Sequence, residues 1–431
     1  MKQLDWNSLS AGERLSALAR PTARCDEQQA ETVRAIVDDI RANGWDALAA
    51  YCQKFDGALP RRIATAPLAR QAFESLSAGQ RSALELMVRN IRSFHSAAVP
   101  GDVWLEQGPG IEVGKLWRPI DRVGLYVPGG RTPLFSSLLM LAIPARIAGV
   151  PEIIVTTPPD GSGGLDPMIA LAASLCEIDQ VWTIGGAQAI AALAFGAGDI
   201  ARVGKICGPG NSYVSLAKSY AAFLPGGPAI DLPAGPSELM VIADESADPG
   251  WVAADLLGQA EHDPGAQVLL VTPSSLVAGK VVAEVHARLP DLPRGAIASA
   301  SIAGARALLV EDLDQAISIA NDYAPEHLSL AVEFPEELLP RVRNAGAIFC
   351  GHRAAESFGD YVNGPSHVLP TDGGARAWSG VSTYTFLRSI SVHKLGDEAV
   401  QGLAPAAAEL ARMERLEAHA RAAEARLGEA A

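Results

Sequence analysis

Paired cysteines are missing from this 431-residue chain. The five that occur (Cys25, Cys52, Cys176, Cys207 and Cys350) are odd in number, scattered, and never spaced as CxxC. That is the pattern of free thiols in a reducing compartment, and the expected location is cytoplasmic. No apolar run reaches ~18 residues without a Pro, Gly or charge, so no membrane span is expected. The N-terminus, Met1-Lys2-Gln3-Leu4-Asp5-Trp6, lacks the apolar stretch of a signal peptide. Excess positive charge is also absent. With 35 Lys+Arg against 49 Asp+Glu the net charge is −14, which argues against nucleic acid or an anionic membrane as the main partner. A phosphate-bearing cofactor is still allowed, because helix N-termini bind anions locally. The Gly-x-Gly-x-x-Gly dinucleotide fingerprint is missing too. Its nearest approach, Gly161-Ser162-Gly163-Gly164, has Asp166 where the last Gly belongs and reads as a surface loop.

What is present is a globular composition, 48% hydrophobic and 19% charged, in a chain long enough for roughly two to three domains. Residues 1–22 read as a short polar and helical arm. Helical periodicity runs through 27–56 on Val33, Ile36, Val37 and Ile40 and then Ala47, Leu48 and Tyr51. A further helix leads to His95, read as a packed or surface histidine and not a ligand. From Val123, strands (123–127, 152–157, 180–184, 205–207) alternate with helices (134–148, 168–176, 187–195), and Asn211 can cap the next helix. From Leu239 the alternation resumes with strands 239–243, 267–272, 307–310 and 328–332 and helices 251–262, 275–288 and 313–321. Apolar strands alternating with helices imply parallel sheets covered on both faces. The two halves resemble each other in architecture, with no clear sequence repeat. The fold class is α/β: two Rossmann-like parallel-sheet domains, incomplete and compatible with a duplication, with small helical N-terminal and C-terminal extensions. Residues 405–427 read as one amphipathic, Ala-rich helix. Its apolar face is too thin to stand alone, and a second subunit would cover it.

Three strands end in glycine-rich turns, each with a polar or aromatic residue attached: Tyr126 beside Pro128-Gly129-Gly130, Gln188 after Gly185-Gly186, and Asn211 after Gly208-Pro209-Gly210. One such turn is an ordinary βα connection. Three at the carboxyl ends of parallel strands suggest a ligand site. Four polar clusters stand out besides. Gln259 and His262 share a face if the helix runs through both, although a lone His at a helix end is more often a cap. Glu326-His327 follows Pro325. On an extended chain these two would point to opposite sides, with a cap and a satisfied His as the plain alternative. Asp360 lies in a turn-rich stretch where an Asp more often caps locally. Glu414 and His419 sit about 140° apart on the expected terminal helix, where two solvated side chains would look the same. Together Gln259, His262, Asp360 and His419 are nitrogen and oxygen donors of a kind suited to zinc. Spacing does not show that they converge.

With these residues in place, the chain resembles the histidinol dehydrogenase family along nearly its full length. The motifs are 123–130 (VGLYVPGG), 185–190 (GGAQAI), 208–211 (GPGN), 232–238 (LPAGPSE), 255–262 (DLLGQAEH), 324–328 (APEHL), Gly359-Asp360-Tyr361, 367–371 (HVLPT) and the stretch from Glu414 to His419. The resemblance implies an NAD-dependent four-electron oxidation of L-histidinol to L-histidine through the aldehyde, the last step of histidine biosynthesis. It implies one Zn2+ per subunit on Gln259, His262, Asp360 and His419, the last from the neighbouring subunit of a homodimer. It implies His327 as the base for the alcohol proton and Glu326 as the group activating water toward the aldehyde. Ser237, His367 and Glu414 would contact substrate, as would the metal ligands and His327. Tyr126, Gln188 and Asn211 would contact NAD+. The domains expected on this basis are an arm, 1–22; a larger α/β domain with the metal and catalytic residues, 23–128 plus 237–380; a second Rossmann-like domain on the NAD side, 129–236; and a tail reaching the partner, 381–431. Ser366 stands where the family commonly has Asn, Gly258 and Asp263 stand where Ser and Gly are common, and 352–355 also varies. Two alternatives remain: a paralogous zinc- and NAD-dependent alcohol dehydrogenase acting on another diol or amino alcohol, and a non-enzymatic metal-binding or interaction protein on the same scaffold.

Overall fold

The computed structural model describes residues 1–20, 27–129, 133–233 and 235–427. Cys25, Gly130 of the first glycine-rich turn and Ala234 of the LPAGPSE motif lie outside the described residues. The chain forms two compact units, Met1–Ala98 with Asp121–Phe386, and Val99–Ile120 with Leu387–Ala431. No helix of the described residues is long and apolar enough to cross a membrane.

The first unit holds two six-stranded sheets. One has the spatial order Lys2–Asp5, Arg306–Leu309, Gln267–Thr272, Glu238–Ala243, His327–Ala331, Ala347–Cys350, and every pairing is parallel. The other runs Arg61–Ala64, Gln180–Thr183, Glu152–Thr157, Arg122–Tyr126, Lys205–Cys207, Ala229–Ile230, parallel except for its first, antiparallel strand. The central strands are continuous apolar runs because helices cover both faces; Glu238–Ala243 and Gln267–Thr272 are buried at every position. The parallel α/β expectation is thus met, and the likeness between the halves extends to strand order. In each sheet the chain lays down three strands in one direction and then reverses, between Glu238–Ala243 and His327–Ala331 in one and between Arg122–Tyr126 and Lys205–Cys207 in the other.

The helix Pro249–Ala260 begins as its sequence dictates. The Asp248 side chain accepts hydrogen bonds from the N–H groups of Gly250 and Trp251, and Pro249 takes the first position, where no N–H is needed. It stops with Glu261 as C-cap. His262 therefore sits in the turn beyond the helix, and not on the same helical face as Gln259.

The ends of the chain differ from expectation. Residues Lys2–Asp5 form an edge strand, and Trp6 and Ala17 pack into the core behind it. So polar a segment shows no strand alternation, because three of its four residues are exposed and none is fully buried. The second unit carries an unexpected antiparallel sheet of Val103–Gly108, Ile111–Pro119 and Leu387–Leu395. Its strands are exposed or half-buried almost throughout, so they lack a clean in–out pattern. The terminal helix is two helices, Asp397–Met413 and Glu417–Glu424. Arg415 adopts a positive φ of 64° between them, and Arg412 pairs with both Glu417 and Glu424 across the bend. The helical-wheel relation between Glu414 and His419 therefore does not hold.

His95 is fully buried beside Phe94, with no hydrogen-bond partner for either ring nitrogen among the described residues. Burial pushes its pKa from 6.5 down to about 4. The folded state thus binds a proton less readily than the unfolded chain. Stability is full above the unfolded value and falls as pH drops from about 6.5 toward 4, by roughly 3 kcal/mol at the limit. The variant His95→Leu should match or exceed the parent's melting temperature at pH 8 and lose less of it between pH 8 and pH 5. An equal acid-induced loss in both proteins would contradict this.

Candidate active site

At the amino edge of the first sheet, six of the residues singled out from sequence line one cavity of about 170 Å³: Ser237, His262, Glu326, His327, Asp360 and His367. Ser136, Ser137 and Pro209, from the carboxyl edge of the second sheet, close its other side.

Glu326 lies in a bend just before the strand His327–Ala331, so strand alternation does not separate it from His327. Both side chains are buried and face one cavity, with Glu326 Oε2 3.6 Å from His327 Nδ1. One peptide orients the pair. The Glu238 N–H donates to Glu326 Oε2 at 2.8 Å, and the Glu238 carbonyl accepts from His327 Nδ1 at 3.0 Å. Since only a protonated Nδ1 can donate to a carbonyl, the neutral ring keeps its lone pair on Nε2. Burial pushes the His327 pKa down to about 4, partly offset by the charge of Asp360. The ring is a neutral base through the physiological range. Burial raises the Glu326 carboxyl well above the usual carboxylate range. The Glu238 N–H opposes this, and the charges of Glu238 and Asp360 add to it.

Two of the candidate metal donors meet nearby. His262 Nε2 lies 3.8 Å from Asp360 Oδ2. The Gln259 amide is fully buried, and neither its Oε1 nor its Nε2 has a partner among the described residues. Such an orphaned amide costs about 1–3 kcal/mol, and a cation accepting the oxygen would relieve part of it. A second grouping shares Asp360: ligand atoms of His327, Glu356 and Asp360 lie within 4.8 Å of one another. Nδ1 of His327 donates to the Glu238 carbonyl, so a metal there would take the one lone pair left to act as a base, whereas Gln259 and His262 have no other side-chain bond among the described residues, so the first set is the better fit. The local charge favours a cation as well. Burial, and then the charges of Asp360, Glu326 and Asp255, raise Glu356 well above its usual range. Burial alone pushes Asp255 up to about 6. No Lys or Arg lines the cavity among the described residues. The helix Pro249–Ala260 also directs its negative C-terminal end here. The donor chemistry fits zinc.

His367 is held at both nitrogens: Nδ1 donates to the Asp360 carbonyl at 2.9 Å, and Nε2 accepts from Ser137 Oγ at 3.1 Å. Ser366, one of the departures from the family, makes a local turn with Oγ accepting from the Val368 N–H at 3.1 Å, which an Asn side chain would also make. Glu356 and Glu238 are site residues that sequence reasoning passed over. A glutamate inside an apolar strand-and-turn pattern was the available signal. Glu414 and His419 belong to the second unit, as the C-cap of its first terminal helix and as a member of its second.

A second cavity, of about 480 Å³, lies at the carboxyl ends of the second sheet and brings Tyr126, Gln188 and Asn211 together. The Tyr126 hydroxyl accepts from the Gly186 N–H at 3.2 Å, and Asn211 caps the following helix through the Val214 N–H at 3.2 Å. Asp56, from the end of a distant helix, accepts from the Gly185 N–H at 3.1 Å and from Gln188 Nε2 at 3.2 Å. Its role was not legible, because in sequence it only terminates a helix. The Gly208 turn allows no side chain: at φ +123° a Cβ would lie 2.0 Å from the Tyr126 carbonyl oxygen. The turn is pinned by a buried ion pair of Lys218 and Asp231, with Lys218 donating to the Gly208 carbonyl at 2.9 Å and Asp231 accepting from the Gly208 N–H at 2.6 Å. Replacing Lys218 by Met leaves Asp231 buried without its cation. Unfolding in urea should show a loss of about 3–5 kcal/mol, partly recovered in Lys218→Met/Asp231→Leu. A single variant as stable as the parent would show that the pair does not hold the turn.

The Histidinol dehydrogenase family model matches residues 19–427. A histidinol dehydrogenase of Xanthomonas euvesicatoria is 44% identical over 432 residues, covering 100% of both chains. One from Aliivibrio fischeri is 42% identical over 99% of this chain and 97% of its own. The crystal structure of histidinol dehydrogenase from Elizabethkingia anophelis superposes with a TM-score of 0.94 at 38% identity, covering 99% of this chain and 98% of that one. With the motifs aligned over the whole length and the fold shared, this chain belongs to the histidinol dehydrogenase family of oxidoreductases.

Proposed function

We propose that the chain oxidises L-histidinol to L-histidine through L-histidinaldehyde, with two NAD+ as hydride acceptors, as the last step of histidine biosynthesis. The observation that carries this reading is the single cavity in which Glu326, His327, His262, Asp360, Ser237 and His367 converge. One Zn2+ per subunit would be held by Gln259, His262, Asp360 and the partner subunit's His419, and would anchor the imidazole and amine of the substrate as a Lewis acid. NAD+ is assigned to the cavity of Tyr126, Gln188 and Asn211. The helices Gly186–Phe195 and Ser212–Phe223 offer their N-terminal amides there to the pyrophosphate.

His327 Nε2 takes the hydroxyl proton as the first hydride leaves carbon, giving the aldehyde. The low pKa of the buried ring makes its imidazolium short-lived, so the proton passes on. Glu326 then takes a proton from the water that adds to the aldehyde carbon, and the former carbonyl oxygen takes the proton that His327 gives up, completing the hydrate. The hydrate loses a second hydride while His327 takes the proton of one of its hydroxyls, leaving the carboxylic acid, which ionises. To act as a base Glu326 must be a carboxylate, and positive charge in the loaded cavity favours that form. Ser237 and His367 orient the substrate, and Glu414 reaches it from the partner subunit.

Steady-state assays with L-histidinol, NAD+ and added zinc test the reading, and absence of NADH formation would sink it. Glu326→Gln should slow oxidation of supplied aldehyde by about 10²–10⁴ and alcohol oxidation much less. Equal losses would contradict the role given to Glu326. His327→Asn should slow both steps. His262→Asn should reduce bound zinc, measured by emission spectrometry, with circular dichroism unchanged; full zinc occupancy would remove His262 from the ligand set.

A further inference from the structure

The cavities, the buried titratable groups and the exposed faces leave one device that the chemistry above does not use. We propose that Arg20, at the end of the N-terminal arm, is a positioning residue for Glu326 and His327 and acts through Glu238. The inference rests on the roles proposed for those two residues.

Glu238 does two jobs with different parts. Its backbone orients Glu326 and His327, as described. Its side chain is 2% exposed and ionic, so it needs a counter-charge. Arg20 supplies it in a bidentate grip: Nε bonds Oε1, and Nη2 donates to Oε2 at 2.9 Å. The Asp372 N–H adds a bond to Oε1 at 3.0 Å. The same guanidinium also holds the other flank. Nη2 donates to the Tyr323 carbonyl at 2.8 Å, and the cation lies 3.8 Å from the Tyr323 ring centroid. Tyr323 ends the helix Leu313–Tyr323, three residues before Glu326, and Ala324 between them takes a left-handed conformation at φ 53°. Arg20 therefore bridges the strand that starts at Glu238 and the chain that delivers Glu326. Lys has the charge but not the planar fork needed to serve a carboxylate, a carbonyl and a ring face together. Arg20 touches none of the donors assigned to zinc, and it does not line the cavity.

If Arg20 is removed, the Glu238 carboxylate loses its counter-charge, and the Glu238 peptide is free to move. A misplacement near 1 Å is enough to cost about 10²-fold in rate. For Arg20→Met, kcat with L-histidinol should fall about 10- to 100-fold. KM for histidinol and NAD+ and the zinc content should stay near parental values. Arg20→Lys should recover part of the loss, and Arg20→Met/Glu238→Gln should be no worse than Arg20→Met, since the buried charge is gone. The imidazole 15N–1H signals of His327, assigned by their loss in His327→Asn, give a readout that needs no turnover. The parent should show a protected Nδ1–H, and Arg20→Met should lose it. Parental kcat and an unchanged His327 signal in Arg20→Met, with only a lower melting temperature, would overturn the proposal. If Arg20→Met does not fold, Arg20→Lys decides, because parental kcat and signal there would overturn it equally. A parent that makes no NADH from L-histidinol would sink the functional reading, and the His327 signal would still judge the positioning claim.

Discussion

Burying a carboxyl and an imidazole side by side is costly unless each finds a partner, and at Glu326 and His327 the peptide of Glu238 serves both. Its N–H satisfies the carboxyl and its carbonyl fixes the ring tautomer. The parallel ladder makes this possible. With Leu239 registered against His327, residue 238 falls beside the bend that carries Glu326. These two strands flank the point where the strand order reverses, and on the other edge the Gln267 N–H bonds the Ser237 carbonyl, which leaves the Glu238 peptide to Glu326 and His327. The pair is thereby placed in low dielectric and pre-oriented, which explains why its two groups move away from their ordinary pKa values in opposite directions of charge: both are driven toward neutrality.

The two sheets present opposite edges to the chemistry, and this matches the charge each must handle. At the carboxyl edge of the second sheet, helices begin, and their N-termini favour anions. At the amino edge of the first sheet, helices end. The helix Pro249–Ala260 stops just before His262, and its C-terminal carbonyls favour a cation. The rule that ligands gather at carboxyl ends accounts for the cavity of Tyr126, Gln188 and Asn211 and fails for the cavity of Glu326 and His327. The proposed reaction, which brings a phosphate-bearing acceptor to a metal-bound substrate, would be well served by facing one kind of edge with the other.

Much of this was legible in the sequence. Apolar strand runs between helical patterns gave the parallel α/β class, and the glycine-rich turns marked the edge where Tyr126, Gln188 and Asn211 meet. The resemblance assigned roles to Glu326, His327, His262 and Asp360, which spacing alone left open. Other features depended on tertiary context. Local rules separated Glu326 from His327 because they assumed extended backbone where the chain bends. They placed His262 on a helix that ends at Ala260. The strand Lys2–Asp5 is polar and mostly exposed, so it has no alternation to read. Asp56 and Arg20 act on residues more than a hundred positions away, Glu238 acts on residues 88 and 89 positions away, and no local pattern connects them.

The choice of donors around Asp360 also bears on how the water-activating step works. Gln259 and His262 are neutral, and a dication held by them, by Asp360 and by a second neutral imidazole would keep a net positive charge. The grouping of His327, Glu356 and Asp360 would spend two carboxylates on the ion and consume the base as well. Only the first arrangement would leave a positive field to draw Glu326 back to the carboxylate that its proposed role requires, against the burial that raises it. The orphaned amide of Gln259 then has a physical reason. A neutral oxygen donor would bind the ion without adding to the negative charge that Asp360 brings, and it would hold the metal where a second carboxylate would have cancelled the field on Glu326.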